Sequence, residues 1–116
     1  MTLRKHITNA LSEYKKPIEE NYYEGSEREW FTWNIADERA IEHEAGKAIV
    51  DCISVQIHLF LEKDTKYEAL KKGIKNSLIK NGFTYPSVKI LFEDDSKKRH
   101  IIFSCEIVAE SEEDNE

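Results

Sequence analysis

Between residues 49 and 61 the chain alternates with a period of two. Ile49, Ile53, Val55, Ile57, Leu59 and Leu61 fall on one side, with Asp51 the single interruption. Cys52, Ser54, Gln56 and His58 lie between them, flanked by Val50 and Phe60. Such alternation is the signature of a strand with one face in a core, here over 47–62. The second face is small and semi-polar, which is unusual for a surface meant only for water. A second such face recurs near the C-terminus. Ile101, Phe103, Cys105 and Ile107 alternate with His100, Ile102, Ser104 and Glu106, giving a strand over 99–109. Val88, Ile90 and Phe92 alternate with Lys89, Leu91 and Glu93, giving a strand over 86–92 joined to it by a hairpin loop, EDDSKK.

Two segments carry the helical period instead. Leu3, Ile7, Ala10, Leu11 and Tyr14 form one stripe over 2–15; Thr2 is placed to cap the start, and Pro17 bars continuation. Tyr67, Leu70, Ile74 and Leu78 form the second stripe. Thr65 and Glu68 have capping-box spacing ahead of it, and Asn81-Gly82 supplies a left-handed stop.

The aromatic segment Tyr22, Tyr23, Trp30, Phe31 and Trp33 surrounds a turn-like EGSE and predicts a hairpin of 19–24 with 29–35. Residues 36–46, ADERAIEHEAG, fit a loop, a short helix or the outer arm of a hairpin, with Gly46 marking a turn. The order is α-β-β-(β)-β-α-β-β. It predicts an α+β domain over 1–108, with a mostly antiparallel sheet of about four or five strands and two helices on one face. The other face must then meet water or a partner.

Charge changes this picture little. Of the net −6, five negative charges lie in the terminal AESEEDNE, so 109–116 reads as a disordered acidic tail on a body near −1. No basic stripe predicts nucleic-acid affinity. No apolar run is long enough for a membrane span, and MTLRKHITNALSEYKK lacks the apolar stretch of a secretory signal; both predict a soluble, intracellular protein. Cys52 and Cys105 read as small buried thiols, able to pair only if their strands are neighbours.

Catalytic and cofactor chemistry finds little support. There is no phosphate-binding glycine loop, and HEAGK around His43 lacks the second histidine of a zinc helix. His6 is expected on a helix surface. His58 and His100 share the semi-polar faces with Ser54, Gln56, Ser104 and Glu106, and a Ser–His–Glu grouping can be drawn among them. Alternation alone also puts polar residues there, and a polar contact face is the simpler reading. Metal and cofactor sites are expected to be absent. Trp30 and Trp33 belong either to the core or to an interface, where tryptophan is enriched.

Several phrases together carry a resemblance: LRKHITNALSEY, EREWFTWNIADE, the strand SVQIHLF followed by a helix ending in NGFTYPSV, and RHIIFSCEI within a last hairpin. Over residues 3–108 the chain resembles the tail terminator (tail-completion, minor tail) proteins of long-tailed bacteriophages and prophages. The resemblance implies a non-enzymatic virion assembly protein, without cofactor. It implies a homo-oligomeric ring, typically of six subunits, which caps the tail tube protein and joins it to the head–tail connector protein. Localisation to the virion tail follows, with the host cytoplasm as the place of assembly. The acidic tail departs from the family pattern. A ring needs two different patches that meet. The candidates are Trp30 and Trp33, then Glu38, Arg39 and Glu42 of the arm, and Ser54, Gln56, His58, His100, Ser104 and Glu106 of the semi-polar faces. Competing expectations are a head-closure or other minor tail component, a small ligand-binding module and, least, a hydrolase.

Overall fold

A computed structural model describes residues 2–43 and 48–109, the side chains of residues 42, 43, 48, 49 and 109 excepted. The proposed turn at Gly46, the side chain of Glu42 and most of the acidic tail lie outside the described residues.

The architecture is α+β, a five-stranded mixed sheet with two helices on one face. Helix α1 (Leu3–Leu11) is followed by a 3-10 turn at Ser12–Tyr14, so it is shorter than its apolar stripe. The Thr2 hydroxyl accepts from the Lys5 amide as expected of a cap, and Lys15 turns the chain with φ 58°. Strands β1 (Ile18–Glu20), β2 (Trp30–His43) and β3 (Ala48–Glu62) follow. Helix α2 (Glu68–Lys80) then leads to β4 (Ser87–Glu93) and β5 (Lys98–Ala109). The sheet order is β1-β2-β3-β5-β4.

The expected aromatic hairpin is corrected. β1 pairs with β2 in parallel, Ile18 opposite Phe31 and Glu20 opposite Trp33. Asn21, at φ 71°, turns the chain at the end of β1. Residues 21–29 then carry it back to the starting end of the sheet, leaving Tyr22 and Tyr23 in a loop rather than a strand. The 36–46 segment proves to be the hairpin arm as far as His43, because β2 pairs with β3 along its whole length. A bulge between Ile35 and Asp37 inserts Ala36. The extra residue switches which parity faces the core, and this hides the strand pattern in the sequence. β2 and β3 stay paired as far as His43 and Ala48, and the molecule measures 51 × 27 × 24 Å.

The core lies between the helices and one sheet face. It comprises Leu3, Ile7, Ala10 and Leu11 of α1, Ile74 and Leu78 of α2, and Phe31, Trp33, Ile53, Val55, Ile57, Leu59, Leu61, Ile101, Phe103, Cys105 and Ile107 of the sheet. Every apolar position of the β3 and β5 alternation whose side chain is described is in that set. The Ser77 hydroxyl donates to the Ala10 carbonyl at 2.6 Å, pinning α2 to α1. Gly82, at φ +98°, ends α2 as its sequence suggested.

The capping box is a second correction. α2 begins after Tyr67 with no side-chain cap. The Thr65 hydroxyl instead donates to Glu29 at 2.6 Å. Glu29 also accepts from the Glu62 amide at 3.0 Å and from Lys16 at 2.9 Å. Burial works to raise its pKa, but these three donors outweigh burial and hold it below the usual glutamate value. Thr65 gains a charged acceptor that a helix cap would not offer.

Candidate functional site

With both helices on one side, the opposite sheet face is left open. Trp30, Thr32 and Asn34 of β2 lie on it, as do Ser54, Gln56, His58 and Phe60 of β3. His100, Ile102, Ser104 and Glu106 of β5 and Lys89, Leu91 and Glu93 of β4 complete it. It divides into two regions.

The first is aromatic. Tyr23 stacks on Trp30 at 5.1 Å, Trp30 on Phe60 at 5.1 Å, and Phe60 on His100 at 4.2 Å between ring centres. Cross-strand pairing sets this ladder, since Trp30 lies opposite Phe60 and Phe60 opposite His100. The Lys98 ammonium sits 5.4 Å from the Trp30 ring and donates to the Arg28 carbonyl. A polar row crosses the same region. Asn34 Oδ1 lies 2.8 Å from His58 Nε2, His58 Nδ1 lies 2.7 Å from His100 Nε2, and His100 Nδ1 lies 2.9 Å from Glu93 Oε2. His58 is held below the usual histidine pKa, first by burial and then by His100, with Glu93 opposing.

The second region is polar. The Ser54 hydroxyl donates to Glu106 at 3.0 Å, and Arg39 reaches Glu106 at 3.6 Å and Asp37 at 3.4 Å. An open depression beside it is lined by Ala36, Gln56, Thr84 and Ser104.

The structure therefore joins His58 with His100, and Ser54 with Glu106 and Arg39, but it does not join the two groups. Among the described residues neither histidine bonds a serine, so the Ser–His–Glu grouping is not assembled. Nor do the described residues contain a cluster of three or more metal-ligating side chains. Trp33 is corrected as an interface candidate: it is 1% exposed and belongs to the core, because it shares the parity of Phe31. Trp30, of the other parity, is on the open face. Glu38 and Arg39 are exposed on β2 just past the bulge. His6 is half-buried on its helix: its Nδ1 donates to the Asn81 carbonyl at 3.0 Å and its ring meets Phe83 edge-on. Cys52 and Cys105 sit on neighbouring strands, yet on opposite faces and out of register, and both are free.

Sequence reasoning placed Phe60 on this face but missed Asn34 and Glu93, though Asn34 shares the parity of Trp30. It also missed the meaning of Ile90-Leu91-Phe92. Three successive apolar residues break alternation, and in β4, an edge strand, they are 37%, 41% and 41% exposed.

No helix among the described residues is long and apolar enough to cross a membrane. Neither a scan against protein-family models nor a search of curated proteins found a match for this chain.

Proposed function

We propose that this chain is a non-enzymatic assembly protein of a long-tailed phage or prophage virion, a tail terminator that closes into a ring on the tail tube and offers its other surface to the head-side connector. One observation carries the reading beyond the sequence resemblance: the sheet has two dissimilar open edges. At one end β4 exposes Ile90, Leu91 and Phe92. At the other, β1 covers only residues 31–33 of β2, and among the described residues no strand pairs with the rest of that outer edge. Exposed edges of this kind invite strand addition unless a partner covers them.

The strand directions favour a head-to-tail contact. β3 is antiparallel to β2, β5 to β3 and β4 to β5, so β4 runs opposite to β2. A neighbour that continues the sheet therefore meets β4 with β2 in antiparallel fashion, the more stable pairing. Unlike edges that meet by rotation close a ring. Six subunits is the number the resemblance implies. Charged residues Glu38 and Arg39 on the β2 side suit the rim of such a contact. The tail tube and the head–tail connector are the proposed partners, in the virion tail after assembly in the host cytoplasm.

Deleting the gene from the phage or prophage and imaging the tails tests this role. A terminator's loss leaves tube growth unchecked, and the reading predicts overlong tails without heads. Tails of normal length that fail to join heads would overturn it in favour of a head-closure component. Normal, infectious particles would exclude both.

A further inference from the structure

We infer that the row Asn34–His58–His100–Glu93 is a one-proton tie, which joins the strands beneath the aromatic ladder at neutral pH and parts between its two rings in acid. The four residues come from β2, β3, β5 and β4, so the row spans every long strand of the sheet. Its three contacts are 2.8, 2.7 and 2.9 Å, each a hydrogen-bond length.

Counting protons gives the property. Ionised Glu93 only accepts, so His100 Nδ1 donates to it. Between the rings one nitrogen must donate and the other accept. When Asn34 presents Oδ1, His58 Nε2 carries the hydrogen and its Nδ1 is bare; His100 then donates from both nitrogens and is an imidazolium against Glu93. When Asn34 turns its NH2 to His58, both rings are neutral and His58 Nδ1 donates to His100. In either arrangement one hydrogen lies between the rings. A second proton sets N–H against N–H at 2.7 Å, where only one hydrogen fits. The pair must then part. A divalent metal fits the gap less well: two imidazoles on one tetrahedral zinc stand about 3.3 Å apart.

The surroundings transmit the break. His100 and His58 both stack on Phe60, and Phe60 on Trp30, so parting the two rings loosens the ladder. Glu93 of β4 keeps its hold on His100, since an imidazolium donates to a carboxylate more strongly than a neutral ring, so the break falls between β3 and β5. The other charged groups on this face are engaged or set to one side. Lys98 of β5 is held by Trp30 and the Arg28 carbonyl. Glu62 of β3 pairs with Arg28. Glu106 of β5 pairs with Ser54 and Arg39. Lys89 of β4 lies beside Ile102. β2 contributes only neutral Thr32 and Asn34 here. Glu93 is thus the charge that bears on the pair directly.

Trp30 is the natural reporter. In a Trp33→Phe background it is the sole tryptophan, and its fluorescence is followed from pH 8 to pH 4.5 beside far-UV circular dichroism. A change in emission between about pH 7 and pH 5, with secondary structure retained, is expected. His58→Gln in the same background, which removes the second titrating ring, abolishes it; His6→Gln leaves it unchanged. Histidine ring 15N NMR on the unaltered protein provides a measurement free of any variant: the hydrogen bond between His58 and His100 should be present at neutral pH and lost in acid. Flat Trp30 emission, a transition untouched by His58→Gln, or a hydrogen bond between the rings that persists in acid would overturn the tie.

Discussion

The two tryptophans, three residues apart, have opposite fates. Trp33 is in the core and Trp30 on the open face. Trp33→Ala should therefore cost about 3–5 kcal/mol, a large share of the stability of a domain this size. Trp30→Ala should leave the fold intact and weaken only what the open face contacts. Urea denaturation of both variants checks the contrast. Cys105 makes a second case. Burial, then Glu106, pushes its thiol up to about 12, so it should resist thiol reagents at neutral pH until the chain unfolds. Timed labelling followed by mass spectrometry checks this. His58 sets the pH dependence. Its folded pKa lies below the unfolded value of about 6.5, so below that pH the unfolded chain binds more protons. Stability contributed by neutral His58 is full above about pH 6.5 and is lost as pH falls toward the folded value. Urea midpoints should drop between pH 7.5 and pH 5, and His58→Gln should flatten that slope.

Among the elements, long strands and helices were legible because their burial is one-sided and regular. Ile53 to Leu61 and Ile101 to Ile107 entered the core as their alternation required. Tyr67, Leu70, Ile74 and Leu78 packed as their helical spacing required. The parts that were not legible depend on contacts distant in sequence. Nothing near Thr65 reveals that Glu29, 36 residues away, will take its hydroxyl from the helix end. Nothing in 18–24 reveals a parallel partner, since three residues are too few to show a period. The bulge at Ala36 disguised β2 by switching its parity. The histidine row escaped because alternation places side chains on a face without giving distances along it. Glu29 now stands out as the residue joining Lys16, the end of β3 and the approach to α2. Glu29→Ala should destabilise by about 1–3 kcal/mol, more than an ordinary surface carboxylate, because it strands donors from three segments. Thermal unfolding beside Glu27→Ala, an exposed neighbour, measures the difference.

At the scale of the whole molecule, the helices close one side of the sheet and leave a ladder of rings, a polar patch and two unlike edges on the other. Each of these features is accounted for at once if copies of the chain stand side by side. Phe92→Glu or Leu91→Lys, placed on the β4 edge, should leave circular dichroism unchanged and abolish assembly. The most direct test of this account is absolute mass by light scattering over a wide concentration range, with negative-stain images of the largest species. The account predicts a closed ring near six subunits that both edge variants reduce to monomers. A monomer at every concentration, with tail tube present as well as absent, would contradict it.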